Sequence, residues 1–473
     1  MLVRQIHDTG LAQYAYLVGC PRTGEAIIFD PERDIDRYFE LAAAHKLRIV
    51  AAADTHIHAD YLSGLREFAE RGVMVYASDE GGADWRYEWL LGSAYPHRLV
   101  HHGDHFKVGN IEFAVLHTPG HTPEHVAYTV VDTGSGATEP IGVISGDFVF
   151  VGDLGRPDLL EEAAGVVGTM DPGARQLYAS LAHFRALPEH VQVWPAHGAG
   201  SACGKSLGDI PSSTVGYELR YNPAVLAATS EQHFVDYILS GQPEPPMYFA
   251  RMKRDNRRGP RVIGAVTMPP RMAADTLAAA GTTGAAVIVD TRGRKAFLAR
   301  HVRGSLLAER ADQFVNITGS YIAEDAPMYL VVDEGELDAS VRDLLRIGLD
   351  DVRGWVGTAE YEAWLATAPG VATIASITMA ELEARRHDGG VTILDVRGKV
   401  DFVERHIPVA INVAHTRLPA RLQEIPRDLP LLVHCNSGAR SAHAVALLER
   451  EGYQVTNVAD MFANWHEAVP ART

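Results

Sequence analysis

Residues 55–64 read THIHADYLSG. The pattern His-x-His-x-Asp-His supplies ligands to two metal ions, and these residues follow it until its last position, where Tyr61 replaces histidine. Three further pieces carry metal-binding residue types: HTPGHTPEH at 117–125, SGD at 145–147 and PAHG at 195–198. Each follows an apolar run. Loops at one sheet edge can gather N and O donors with free lone pairs from distant positions, which is what a divalent ion needs. One His at a strand end is ordinarily a satisfied polar residue; four such pieces in this order point to a metal centre. A neutral phenol, with a pKa near 10, is a poor ligand for a hard divalent ion. Tyr61 therefore argues against a second metal, although Asp60 and His197 remain.

A second chemistry lies in LLVHCNSGARSAHAVALLERE, 431–451. An apolar strand leads to Cys435, four residues (NSGA) lead to Arg440, and an Ala/Leu-rich helix follows. Loop N–H groups and a helix N-terminus would point at the sulfur and favour a thiolate. Arg440 adds a forked donor for sulfite or thiosulfate oxygens. The other cysteines differ. Cys20 precedes Pro21 and reads as structural. Cys203, in PAHGAGSACGKS, reads equally as filler of a Gly-rich turn or as a thiol near the metal, able to carry a persulfide or be oxidised. Lys205, in the same loop, offers a charge to a substrate anion.

Short β-rich runs position these residues: AYLVG, EAIIFDP, RIVAAADTH, VMVYASD, IEFAVLHTPG, IGVISGDFVF and VQVWPAHG. Each ends at Gly, Pro, Asp or His, so the polar residues fall on loops after strands, the usual place for active sites in α/β architectures. The Pro-rich, basic stretch at 246–261 reads as a linker out of a first domain, 1–245. The remainder holds a degenerate repeat. Asp290, Arg292, Phe297 and His301 align with Asp395, Arg397, Phe402 and His406 at one offset. Strand, helix and strand follow in each copy, predicting two small parallel α/β units at 262–368 and 374–473.

Composition bounds the partners. A chain of 473 residues exceeds one core, and a net charge of -17 argues against nucleic acid or an anionic membrane. Three scattered cysteines are a poor disulfide framework and fit a reducing cytoplasm. No apolar h-region opens the sequence, so no signal peptide is expected. No run long enough for a membrane span is found.

The order of the metal-binding pieces resembles the metallo-β-lactamase superfamily over roughly 1–245, which implies an αββα sandwich. GDFVFVGDLGRPDL (146–159) resembles the segment of its persulfide dioxygenases. That resemblance implies one Fe(II) per chain, held by His56, His121 and Asp147, the facial triad of non-haem oxygenases. It leaves His58, Asp60, Tyr61, His125, His197 and Cys203 as pocket residues or partners of the ligands, with His58 expected to bond a ligand rather than the metal. His117, His101, His102 and His105 are expected at turns or the surface. The Cys435 loop is similar to that of rhodaneses, as is ILDVRGKVDFVERHIPVAINV, with Val409 where glycine is usual. In the first copy Asp333 stands at the cysteine position, implying a silent domain. The three-part order is similar to bacterial persulfide dioxygenase–rhodanese fusions of sulfide detoxification. The fold so implied is α/β: a metallo-β-lactamase sandwich, then two rhodanese-like domains with parallel sheets. Implied partners are a low-molecular-weight persulfide, O2 and sulfite or thiosulfate; homo-oligomerisation stays open. Two rivals are a zinc thioester hydrolase of the glyoxalase II kind fused to a sulfurtransferase, and a non-catalytic persulfide carrier or sensor.

Overall fold

The apolar runs of the first half fold into two six-stranded sheets. The first runs β1 (Leu2–Asp8), β2 (Gln13–Cys20), β3 (Glu25–Phe29), β4 (Arg48–Ala53), β5 (Met74–Ser78) and β6 (His97–Val100) in spatial order. The second contains β7 (His105–Val108), β8 (Ile111–His117), β9 (Val126–Asp132), β10 (Gly142–Gly146), β11 (Gln192–Pro195) and β12 (Ser213–Thr214). All seven expected strands are present; β1, β6, β7, β9 and β12 are additional. The coordinates are a computed structural model and describe residues 1–163, 165–282, 286–310 and 313–466.

Strand alternation sets the layers. Tyr16 and Val18 of β2 join Phe113, Tyr128 and Ile144 in a core between the sheets. Ala15 and Leu17 face the other way, against Tyr38 and Phe68 on helices Asp36–Ala44 and Leu65–Glu70. On the far side, Leu177 and Phe184 of helix Met170–Arg185 and Phe234 of helix Glu231–Leu239 cover Val143 and Val193. Both faces of β2 are buried, so it reads as a continuous apolar run rather than an alternating one. The result is helix, sheet, sheet, helix, as expected.

The stretch expected as a linker contains helix Phe249–Arg258, and it belongs to the first unit, Met1–Val266 with Arg346–Gly348. Its buried residues Phe249, Met252 and Asn256 recur at helical spacing. Five basic residues and the prolines just ahead of it masked that pattern in the sequence.

The second unit comprises Thr267–Leu345 and Leu349–Thr473 and holds both rhodanese-like sheets. One contains β13 (Val287–Asp290), β14 (Leu306–Leu307), β15 (Met328–Val331) and β16 (Val352–Val356), ordered β14-β13-β15-β16. The other contains β17 (Ser376–Ile377), β18 (Thr392–Asp395), β19 (Ile411–Asn412), β20 (Leu431–His434) and β21 (Val455–Val458), ordered β17-β21-β20-β18-β19. Every pairing in both is parallel. The repeat is also a repeat of contacts. Arg292 and Arg397 each clamp the Asp two residues before them and donate to the carbonyls of Arg300 and Arg405. His301 and His406 each bond the carbonyl of the Phe four residues earlier, at 2.8 Å. Residue 285, at the start of the first copy, and residues 467–473, at the end of the second, lie outside the described residues.

Candidate metal centre and sulfur-transfer loop

The C-terminal ends of β4, β8, β10 and β11 meet at one edge of the sandwich, and the Val126 N–H ties that edge together by donating to the Thr55 carbonyl at 2.8 Å. His56 follows β4, His121 lies between β8 and β9, Asp147 follows β10 and His197 follows β11. Gly146 makes the turn into Asp147 with φ +54°; a Cβ there would lie 2.6 Å from both His125 Nε2 and Thr55 Oγ1. Only glycine fits.

His56, His121 and Asp147 each offer a ligand atom, all within 4.8 Å of one another. His121 Nε2 is 3.3 Å and His56 Nε2 4.0 Å from Asp147 Oδ2. Their other ring nitrogens are occupied: His121 Nδ1 by the Arg156 carbonyl at 3.0 Å, His56 Nδ1 by Thr55 Oγ1 at 3.0 Å. Burial, followed by neighbouring imidazoles, holds both histidines well below the usual pKa, in the neutral form that ligates. Asp147 is fully buried, and among the described residues its carboxylate accepts from no nitrogen or hydroxyl donor, the Cys203 thiol alone acting on it as a hydrogen-bond donor. Burial lifts its pKa to about 6. Neutral imidazoles beside a desolvated carboxylate with free lone pairs fit a divalent cation.

His58 is turned away from this trio. Its Nε2 pairs with Asp30 Oδ1 at 3.1 Å. Burial works to lower its pKa, but Asp30 carries it up to about 9, which favours the charged ring. Asp30 also accepts from Thr55 N at 2.7 Å and Thr55 Oγ1 at 3.1 Å, so one carboxylate anchors the His56 loop. Tyr61 donates to the Asp30 carbonyl at 3.1 Å and stacks on His58, 4.4 Å between ring centroids. His125 Nε2 accepts from the Asp147 N–H at 3.0 Å and its Nδ1 pairs with Thr118 Oγ1 at 2.8 Å, leaving no ring nitrogen for a metal.

A second trio, Asp60, His197 and Cys203, also has its ligand atoms within 4.8 Å. His197 Nε2 lies 3.3 Å from Asp60 Oδ2 and 3.5 Å from Asp147 Oδ1. Cys203 is thus brought to the metal edge, where burial, Asp147 and Asp60 push its thiol pKa well up. Lys205 is not at the site: its ammonium donates to the carbonyls of Tyr237 and Ser240 at the end of helix Glu231–Leu239, a favourable place for a cation. Cys20 is buried among core residues, and His101, His102 and His105 are exposed.

Sequence reasoning missed Asp30 and Asn256. Asp30 ends a strand in FDP, a punctuation the other site residues share. Asn256 Nδ2 donates to the carbonyls of His58 at 2.9 Å and Tyr61 at 2.7 Å, and its Oδ1 accepts from Ser63 N at 2.8 Å. Helical spacing within the supposed linker was the only available signal for it.

In the second unit Cys435 follows β20 and is buried, its thiol 3.7 Å from Ser441 Oγ. Gly438 closes the loop with φ +79°; a Cβ there would lie 2.8 Å from Ala459 Cα. Helix Ala439–Arg450 starts at once. Arg440 reaches Asp401 at 3.5 Å. Sheet register corrects the first copy. Asp290 pairs with Val331 as Asp395 pairs with His434, so buried Val332, not Asp333, occupies the place of Cys435. Asp333 matches Asn436, one step on. No thiol stands in the first loop on either count.

Residues 8–197 match the metallo-beta-lactamase superfamily and residues 378–468 the rhodanese-like domain. A solved metallo-beta-lactamase from Staphylococcus aureus subsp. aureus COL is 38% identical, with a TM-score of 0.66 over 76% of this chain and 99% of that one. A hydroxyacylglutathione hydrolase of Synechococcus sp. is 32% identical over 39% of this chain and 63% of its own. The mitochondrial persulfide dioxygenase of Bos taurus is 28% identical over 42% of this chain and 68% of its own. The chain spans about half to two thirds of the length of the curated relatives it matches.

Proposed function

That the chain belongs to the metallo-β-lactamase superfamily and carries a C-terminal rhodanese-like domain is the premise from which we propose its function: Fe(II)- and O2-dependent oxidation of a low-molecular-weight persulfide, coupled to sulfane-sulfur transfer. The buried His56, His121 and Asp147 carry this reading, because two neutral imidazoles and one desolvated carboxylate form a 2-His-1-carboxylate set. Asp147 and the two histidines would hold iron, which would supply the redox chemistry needed to oxidise a persulfide sulfur with O2. The balance is RSSH + O2 + H2O → RSH + sulfite + 2 H+. The Thr55 and Arg156 contacts fix the two imidazoles so that each presents Nε2. His58, paired with Asp30, holds the loop rather than the metal.

Cys435 would take sulfane sulfur from a persulfide, releasing RSH, and pass it to sulfite as thiosulfate. Arg440 is the donor suited to the sulfite oxygens. In this reading 1–245 is the dioxygenase, extended by helix Phe249–Arg258, 262–368 is a silent rhodanese-like domain and 374–473 the catalytic one. The second trio favours one alternative, a two-metal thioester hydrolase. O2 uptake by the iron-loaded protein against a panel of persulfides, with metal content measured after anaerobic purification, decides. One iron and persulfide-dependent uptake support the proposal; two zinc ions and thioester cleavage without uptake overturn it.

A further inference from the structure

Helix Phe249–Arg258 bounds a cavity of about 630 Å3 in the first unit, within the range of small-molecule sites. Ile57 and Gly120 line it, and each is the chain neighbour of a histidine of the metal trio. Trp85, Pro123, Leu160 and Pro172 give it apolar walls, and the helix adds Lys253 and Arg257. In a chain with a net charge of -17, this is a local basic face next to the loops that carry His56 and His121.

Lys253 is the least compensated of these charges. Its ammonium sits 4.3 Å from the centroid of the Trp85 ring, and no carboxylate forms an ion pair with it among the described residues. Burial lowers its pKa to about 8. The Glu124 carboxylate, the opposite charge that acts on Lys253, is held by the Ile57 N–H at 2.9 Å. Arg257 is partly engaged, donating to the Asp84 carbonyl at 3.1 Å and lying 3.3 Å from Glu88. A half-buried ammonium with no carboxylate in ion-pair contact is costly, and an arriving anion offsets that cost.

We propose that this cavity binds the carrier part of the persulfide and selects carriers bearing a carboxylate or phosphate, which Lys253 holds while the sulfur lies at His56, His121 and Asp147. This rests on the persulfide reading above. The apolar walls take the carrier's uncharged stem. Fixing both ends places the terminal sulfur at the metal edge, which is where such anchoring gains rate.

The test is calorimetric, on the full-length metal-loaded protein, with three unreactive thioethers: S-methylglutathione for carboxylates, S-methyl-coenzyme A for phosphates, and the neutral methyl thioether of N-acetylcysteamine. At least one anionic probe should bind, Lys253→Gln should weaken it tenfold or more, and Lys253→Arg should recover most of the loss. The neutral probe should bind weakly and equally to the parent and Lys253→Gln. With the matching anionic persulfide, Lys253→Gln should raise KM rather than lower kcat, at unchanged iron content. Equal binding of the anionic probes by parent and Lys253→Gln, or a neutral probe binding as tightly as either anionic one, overturns the proposal. Lys253-dependent binding of an anionic probe without O2 uptake from any persulfide would keep the anion site and reject the oxidation. Uptake from persulfides with no such binding would do the reverse.

Discussion

Among the described residues neither oxygen of Asp147 accepts from a nitrogen or hydroxyl donor, although the side chain is fully buried. A buried carboxylate in that state either takes up a proton or is completed by a cation, and the two imidazoles beside it favour the cation. His121→Ala and Asp147→Ala should therefore each lose the bound metal, from about one ion per chain to near zero by elemental analysis, and O2 uptake should go with it. Thiosulfate:cyanide sulfur transfer should persist, because Cys435 and Arg440 lie in the other unit. Full metal content in either variant would contradict the ligand assignment. A second residue shows strain rather than chemistry. Val409 has φ +66° and is 82% exposed, at the position where rhodanese-like segments use glycine. A β-branched residue in the left-handed region costs roughly 1–2 kcal/mol, with no burial here to offset it. Val409→Gly should raise stability by about 1 kcal/mol, read as a higher urea midpoint with an unchanged slope.

Helix Ala439–Arg450 joins the two rhodanese-like sheets of the second unit. Arg450 donates to the Gly304 carbonyl at 2.7 Å, and Glu449 Oε2 pairs with His301 Nε2 at 2.9 Å. The same helix buries His443, whose ring nitrogens meet no hydrogen-bond partner among the described residues; Glu309 lies 3.6 Å away. Burial first, against the pull of Glu309, lowers the His443 pKa to about 4. Burial, then Arg440 and His443, lowers that of His415 to about 3. Both folded values are depressed, so the sign is settled. Above pH about 6.5 the two states are alike at these rings; below it the unfolded chain takes protons that the fold refuses, and stability falls. The loss should approach about 1.4 kcal/mol per pH unit for each histidine. The thermal midpoint, followed by a probe in the second unit, should hold steady from pH 8 to 7 and drop from 6.5 to 4.5, less so in His443→Gln. A midpoint independent of pH over that lower range would show that these rings are not buried neutral.

At the scale of the whole molecule, one chain carries a candidate oxidation centre and one complete sulfur-transfer loop, since the first copy offers Val332 and Asp333 where a thiol is needed. Cys435→Ser should uncouple them. Serine keeps the size, but its hydroxyl pKa is far too high to give an anion and its oxygen forms no persulfide. Transfer should fall to background while O2 uptake continues, and products should shift from a thiosulfate–sulfite mixture towards sulfite. Thiosulfate formed at the parent rate, at short times and low persulfide, would move the carrier role to Cys203. O2 uptake lost with Cys435→Ser would mean that the rhodanese loop feeds the iron. The sequence by itself determined the order of the metal-binding pieces, the seven expected strands, the Cys435 loop and the two-fold repeat. These follow from local rules, namely apolar runs, punctuation by Gly, Pro and Asp, and fixed spacing along one chain. Tertiary structure alone decided which histidine joins His121 and Asp147. His56 and His58 are the same residue type two positions apart, and Asp30, from another strand, turns one of them away. It also decided that the Pro-rich basic stretch is a helix held by Asn256, that Cys203 reaches Asp60 and His197, and that Val332 matches Cys435. Each of those outcomes depends on partners supplied by distant parts of the chain, and no local pattern carries the direction in which a side chain finds its partner.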